Sequence, residues 1–382
     1  MAYRVSEFGM ELMEDVKRFC QMEIQKQAIG WDKGMPGAEE ARCSMAEMGF
    51  HMMTLSEPYG GLELNGVDTA ALLEEIARAD AGMAVSLAGN NLAVRAVLAG
   101  GTEAQKEKMG VLLGEGGMGA FCLTESQAGS DVSGLKTKAI PTEDGGYLLT
   151  GTKQFITNGS VAAFYVVAAI IDGDEKPSLF FIEAGTSGLE AHKGEEKLGI
   201  HSCDTCEVDL NQCKVDGEAL LGGTASRGAG MKSILAALNE GRLLMSAMAT
   251  GVAQRAMEEA IAYSKERRQF GKPIAEHQAI RFRIADMKIK IEAARQLITY
   301  GLEKMNEGKD FAEEAAMAKA FAADTVIQVT SSAMDVFGGY GFSREYPMEK
   351  LLRDARVFQI IEGTAEMQRS LIADKILGKE RR

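Results

Sequence analysis

The stretch Ala120-Phe-Cys-Leu-Thr-Glu-Ser-Gln-Ala-Gly-Ser-Asp-Val-Ser-Gly-Leu-Lys136 lies where a helical chain turns into a sheet. Upstream, the segments Glu11 to Ile24, Gly37 to Met48, Asp68 to Ala81 and Gln105 to Leu113 carry apolar residues three and four apart. They are separated by breaks such as Ser56-Glu-Pro-Tyr-Gly-Gly61, so this part reads as helices. From Ala120 the period changes. Gly146-Tyr-Leu-Leu-Thr-Gly, Ala163 to Ile171, Ser178-Leu-Phe-Phe-Ile and Glu207-Val-Asp-Leu are short β-rich runs, punctuated by Asp144-Gly-Gly, Asp172-Gly-Asp and Asp216-Gly. Beyond Gly230 the helical period returns over Ile234 to Arg267, Ala275 to Asn306, Phe311 to Phe337 and Ala365 to Leu377, which predicts an antiparallel bundle. The fold class is therefore α+β multi-domain, with helical, all-β and helical parts over 1–119, 120–224 and 225–382. No internal repeat interrupts this order.

The 382 residues are long for one hydrophobic core, consistent with this division. A net charge of −13 argues against nucleic acid and anionic membranes as partners, because both repel an acidic protein. The longest apolar run, Ala162 to Ile171, is about half of the ~20 residues that span a bilayer. The opening Met-Ala-Tyr-Arg-Val-Ser-Glu has no apolar export segment, so a cytoplasmic location is expected. Six cysteines (20, 43, 122, 203, 206 and 213) do not form a disulfide framework for a chain of this size. His201, Cys203, Cys206 and Cys213 could supply four soft metal ligands, but the alternation in Cys206-Glu-Val-Asp-Leu reads as a strand with a buried Cys/Val face, and no metal is expected.

Gly114-Glu-Gly-Gly-Met-Gly119 fits the glycine spacing of a dinucleotide fingerprint, yet that motif needs a strand before it and a helix after it. Here the order is reversed, so the segment reads as a domain junction. Three other places carry chemistry. The loop from Ala120 to Lys136 exposes backbone N–H groups and the hydroxyls of Thr124 and Ser130, suited to the edge of a planar heterocycle. Phe155 and Thr157 lie two apart, so on a strand they share a face and could pack on and bond to a ring system. Glu362, between Ile360-Ile361 and Gly363, is a poorly solvated carboxylate on a hinge, the make-up of a general base. The alternative is a loop acid ahead of a helix capped by Thr364.

In combination these motifs resemble the acyl-CoA dehydrogenase family over nearly the whole chain. Leu123 to Asp131 looks like its first signature, Phe155-Ile-Thr-Asn-Gly its second flavin strand, and Arg267 to Lys272 with Glu276-His-Gln278 its FAD-contacting helix junction. Asp335 to Gly341, Tyr346 to Asp354 and Gln359 to Thr364 complete the second signature. The resemblance implies an α-helical N-terminal domain, a middle β-barrel and a C-terminal four-helix bundle, in a homotetramer with one FAD per subunit. It implies that Phe121, Leu123, Thr124, Gly129, Ser130, Phe155, Ile156 and Thr157 hold the flavin. Arg267, Phe270, Gln278, Asp335, Gly338 and Gly339 would serve the adenosine and pyrophosphate end, with Thr364 and Glu366 also on the cofactor side. Ser130, Asn239, Arg242 and Gly363 would meet the substrate.

The implied activity is α,β-desaturation of an acyl-CoA to its trans-2-enoyl-CoA, or the reverse reduction. Glu362 takes the Cα proton, flavin N5 accepts hydride, and electron-transfer flavoprotein is the redox partner. Some relatives carry the base just before an Arg on a bundle helix; here that position is Gly241, ahead of Arg242, which leaves the role to Glu362. An acyl-CoA oxidase, or an idle flavoprotein acting in assembly or carrier docking, is the alternative. Departures from the family pattern are Phe155 for Trp, Ser126-Gln127 for Pro-Gly, and Asp335 for Gln. The charge of Asp335 would repel pyrophosphate unless it meets ribose hydroxyls or Arg267. Arg95, in an apolar helix, is expected at the surface or against a polar acyl tail. The pocket floor is expected around Ala84 to Ala88, and glutaryl-type chemistry is disfavoured because Asp80 to Ser86 contains no Arg.

Overall fold

The computed structural model describes residues 3–378. The first part contains α1 (Glu7–Phe19, continued by a wide π turn to Ile24), α2 (Ala28–Asp32), α3 (Ala38–Glu47), α4 (Gly66–Ala79), α5 (Ala81–Gly100) and α6 (Glu103–Gly114). The middle part contains β1 (Met118–Cys122), β2 (Lys138–Pro141), β3 (Tyr147–Thr157), β4 (Ala162–Ile171), β5 (Pro177–Glu183), β6 (Leu189–Ala191) and β7 (Thr205–Val215). The last part contains α7 (Gly230–Glu266), a small hairpin of β8 (Arg268–Gln269) and β9 (Lys272–Pro273), α8 (Gln278–Asn306), α9 (Ala312–Phe337), α10 (Met348–Ala355) and α11 (Ala365–Leu377).

The sheet runs β1-β4-β2-β3-β7-β6, with β5 on the other edge of β4. Its β1–β4 and β2–β4 pairs are parallel, and the others antiparallel. No ladder joins β5 to β6 among the described residues, so the barrel expected from the resemblance is a curled sheet. One face packs Cys122, Ile156, Val167, Phe180, Cys206 and Val208 into the sheet's own core. The other puts Phe164, Val166 and Phe181 against Ala93, Val97 and Met109 of α5 and α6. The cysteines are free, and burial pushes the Cys206 thiol up to about 12, so the Cys/Val face is apolar packing.

Helix α5, read from the sequence only as an apolar helix around Arg95, runs from Ala81 to Gly100. Its composition is uniformly apolar and small, so it offers no polar face for a 3.6-residue pattern, and Asn90, Asn91 and Arg95 break its apolar run. It is long and apolar enough to pass for a membrane span, but 83% of that window is buried inside the protein. It threads between sheet and bundle, as its glycines show: a Cβ on Gly89 would lie 2.8 Å from Thr157 Cβ, and one on Gly100 3.3 Å from Ser233 Cβ of α7.

A buried ionic junction ties the three parts. Asp80 caps α5, accepting the Met83 N–H at 3.0 Å, and also receives Ser202 and the Lys350 ammonium, the latter at 2.9 Å. Asp354 accepts Lys350 at 2.5 Å and the Ile200 N–H at 2.6 Å. Arg353 forks onto buried Asp32 at 3.0 and 2.6 Å. An N-cap of this kind is worth ~1 kcal/mol, and breaking a buried pair costs several times that. The junction fixes α10, the element that leads directly into Glu362.

Candidate active site

After α10 the chain makes a 3-10 turn over Arg356–Gln359 and reaches Glu362 in a left-handed conformation (φ 53°), followed by Gly363 at φ 90°. A non-glycine residue there costs on the order of 1 kcal/mol or more, so surrounding contacts must impose it. Three helices do. Arg242 Nε of α7 donates to the Glu362 carbonyl at 3.3 Å, and Gln368 Nε2 of α11 donates to the Glu362 and Gly363 carbonyls at 3.3 and 2.9 Å. Lys319 Nζ of α9 donates to the Gly363 carbonyl at 2.6 Å.

This hinge aims the carboxylate at α7. A Cβ built on Gly241 would lie 2.8 Å from Glu362 Cδ and 2.9 Å from Oε1, and closer still to Oε2. Gly241 therefore supplies the space in which the acid sits. Both carboxylate oxygens are buried and accept no hydrogen bond. Burial pushes this carboxyl up to about 8, against the pull of Lys319 and Arg242 and with a further push from Glu240. The desolvation does not come from both isoleucines, as the sequence suggested: Ile360 is 56% exposed, and packing on α7 does the work instead.

Around it, Arg242 is buried rather than at the surface, and its Nη1 donates to Asn239 Oδ1 at 2.8 Å. Arg95 is neither fully exposed nor free. Its Nε lies 2.7 Å from the buried carboxylate of Glu240, the residue before Gly241. Glu240, Lys319 and Gln368 are the neighbours that the sequence reading missed. Lys319 carried a visible signal, a lone charge in the alanine run Ala315 to Ala323. Glu366 is exposed in the first turn of α11, where bonds to its own N–H and to the Thr364 hydroxyl hold it below its ordinary value. Thr364 caps that helix, accepting the Met367 N–H at 3.3 Å.

On the sheet side, the Gln154 N–H donates to the Thr124 carbonyl at 2.9 Å, which brings the segment Phe121, Leu123 and Thr124 beside Phe155, Ile156 and Thr157. The register shifts between Lys153 and Ile156, and Phe155 takes φ 58°. Phe155 and Thr157 thus lie opposite buried Ile156 at a bulge rather than on a regular strand, with Phe155 64% exposed. Gly129 and Ser130 are exposed on the adjoining loop. That loop is organised by buried Glu125, which accepts Lys153 Nζ at 2.7 Å, the Lys136 N–H at 2.7 Å and the Thr137 N–H at 3.1 Å. Burial opposes the charge of Glu125, but these partners hold its carboxyl down to about 2.

Arg267, Phe270, Asp335, Gly338 and Gly339 line one open cavity of about 750 Å³ together with Tyr263, His277 and Tyr340. The Arg267 guanidinium lies 5.6 Å from the centre of the Tyr340 ring, and Phe270 is 93% exposed. Gln278 is exposed at the first turn of α8, just outside this lining. Asp335 pairs with Arg283 at 2.6 Å, not with Arg267, so its charge is answered from α8. Neither Glu362 nor the β1 and β3 residues line this cavity.

These donors and surfaces fit FAD: an exposed aromatic and open backbone edge on the sheet, and an arginine with two glycines at a separate cavity large enough for a nucleotide. Family models for the N-terminal, middle and C-terminal domains of acyl-CoA dehydrogenase match residues 7–117, 120–213 and 228–377. The short-chain-specific acyl-CoA dehydrogenase of Megasphaera elsdenii is 44% identical over 320 residues, 82% of this chain and 83% of that one. The solved butyryl-CoA dehydrogenase from Megasphaera elsdenii superposes with a TM-score of 0.94 at 38% identity, covering 99% of this chain and all of that one. A chain solved in a study of the electron transferring flavoprotein of Acidaminococcus fermentans has the same TM-score at 37% identity, covering 99% and 100%. The chain belongs to the acyl-CoA dehydrogenase family and is an FAD-dependent oxidoreductase.

Proposed function

We propose that Glu362 is the base of an acyl-CoA/trans-2-enoyl-CoA interconversion, and that the observation carrying this reading is its buried, unpartnered carboxylate resting on Gly241. Bound FAD supplies the acceptor for the β-hydride. The residues of the chain handle the proton. An ordinary carboxylate is too weak a base for Cα of a thioester; desolvation strengthens Glu362, while Arg242 and Lys319 keep an ionised fraction available. After the transfer the neutral acid suits its dry setting, and in the reverse direction the same group donates. Arg242 and Asn239 form a bonded polar pair beside the hinge, a reasonable seat for the thioester arm, with Gly363 and Ser130 as further substrate contacts.

Phe121, Leu123, Thr124, Gly129, Phe155, Ile156 and Thr157 would hold the flavin. Arg267, Phe270, Gln278, Asp335, Gly338, Gly339, Thr364 and Glu366 would serve the rest of FAD. Because the cavity at Arg267 does not adjoin the β1/β3 residues, and Phe270 stands open to solvent, these sets are best joined across subunits. A homotetramer would supply such a shared site, and a cytoplasmic location with a part in fatty acid metabolism completes the proposal. Likeness to a chain from work on an electron transferring flavoprotein supports such a protein as the redox partner. An idle flavoprotein would have no use for an unpaired buried acid.

The test is anaerobic mixing of the yellow protein with short, branched and aromatic acyl-CoAs. At least one should bleach the flavin, and Glu362→Gln should stop the bleaching while the colour persists. Equal bleaching by the Gln variant removes the base assignment.

A further inference from the structure

Lys319 sits in the second turn of α9 among Ala315, Ala316, Ala318, Ala320 and Ala322, and is 1% exposed. Burying an ammonium is expensive unless it is bonded, and a lysine in a run of alanines brings nothing to packing that an apolar residue would not. Its hydrogen bond goes to a carbonyl, that of Gly363, at 2.6 Å. This is the shortest of the bonds that hold the left-handed pair Glu362–Gly363. We infer that Lys319 is a positioning residue for the base: its ammonium locks the Gly363 peptide so that the Glu362 carboxylate points into the space over Gly241, and it sets a positive charge beside that carboxylate. The inference rests on Glu362 being the base.

The charged groups facing Glu362 are Lys319 from α9, and Arg242 and Glu240 from α7, with Glu240 itself paired to Arg95 of α5. Lys319 in turn is faced by Glu362 and, more weakly, by Arg242, Glu366 and Asp324. Of the two cations, Arg242 spends its Nη1 on Asn239 and its Nε on the Glu362 carbonyl. Lys319 exerts the larger pull on the carboxylate. Its own burial brings its pKa down to about 8, so its charge also fades as the solution becomes alkaline.

The experiment uses the FAD-loaded protein and three substitutions, Lys319→Met, Lys319→Gln and Lys319→Arg. Without substrate, infrared titration follows the protonated carboxyl of Glu362, identified by its loss in Glu362→Gln. With a bleaching acyl-CoA, the pH dependence of the bleaching rate is recorded in parallel. In Lys319→Met the carboxyl should stay protonated to a pH about one unit higher, and bleaching at pH 7 should fall roughly tenfold or more. Lys319→Arg should return the titration toward that of the parent. Should the Met variant fail to take up FAD, Lys319→Gln decides, since it keeps a donor for the Gly363 carbonyl and removes the charge. An unmoved carboxyl titration in the neutral variants, with only the melting temperature changed, overturns the inference. If the parent itself is bleached by no acyl-CoA, the reading of the function fails, while the infrared titration still decides the part played by Lys319.

Discussion

Gly241→Ala isolates the position of the proposed base, Glu362, from its chemistry. The added Cβ would meet Glu362 Cδ at 2.8 Å and Oε1 at 2.9 Å, whereas ordinary contact begins at 3.4 Å. Since α7 is buried on every side here, the helix cannot give way, and the carboxylate must retreat by about 1 Å, the distance its nearest oxygen, Oε2, falls short of ordinary contact. Misplacement of that order costs roughly a hundredfold in rate when reacting groups must be aligned. Alanine also improves the helix by ~0.5–1 kcal/mol, so the protein should not be weakened by the change. Stopped-flow bleaching under anaerobic conditions, alongside a thermal melt, separates the two effects. A variant that melts at or above the parent temperature and bleaches about a hundredfold slower is expected. Bleaching at the parent rate, or a loss explained by a collapsed melt, would refute the placement of the carboxylate on Gly241.

Three further outcomes follow from the same geometry. The value of kcat/KM reports the free enzyme, so it should rise about tenfold per pH unit up to about 8 and level off above it; a profile flat from pH 6 to 9 contradicts a base with a raised pKa. Because the folded-state value of Glu362 lies above its ordinary 4.5, the folded protein keeps a proton that the unfolded chain has released, and stability falls as pH rises from about 4.5 to about 8. Glu362→Gln should therefore melt higher than the parent above pH 8, by at most roughly 5 kcal/mol, with the gap closing toward pH 4.5; denaturant titration at the two ends checks it. Lys153→Met leaves buried Glu125 with its backbone donors but without its counter-charge, so a loss of about 3 kcal/mol is expected by urea unfolding, together with weaker FAD retention on desalting.

The parts of the fold with a clear periodicity were legible in the sequence. The β-rich runs between turn signals placed β4 and β5 to within one residue, alternation found the first part of β7, and the bundle helices α7 to α9 and α11 were read to within about four residues of their observed ends. Helix α5 was legible as an apolar helix around Arg95 but not in its bounds, because both of its faces are buried and no polar side sets a period. The candidate site divides in the same way. Glu362, Gly241 and Arg242 could be named from local motifs, but the reason the acid is dry could not, because it depends on a contact between residues 121 positions apart. The partnerships Lys319–Gly363, Arg95–Glu240, Lys153–Glu125 and Arg283–Asp335 are likewise long-range, and nothing local in a sequence announces them. What a sequence does show is the oddity of the charge itself. Arg95 is the only charge in α5, and Lys319 is the only charge between Ala315 and Ala323; the first pairs with Glu240 on the helix that carries Gly241, and the second bonds the hinge itself at the Gly363 carbonyl.

The most direct measurement is proton exchange at Cα. An acyl-CoA analogue that cannot surrender its β-hydride is held with the FAD-loaded protein in D2O, and mass spectrometry follows uptake of deuterium beside the thioester carbonyl. The parent should install a single deuterium with a rate that climbs with pD through the range in which Glu362 ionises, and Glu362→Gln should install none above the background rate. Exchange by the Gln variant at the parent rate would contradict the account at its centre.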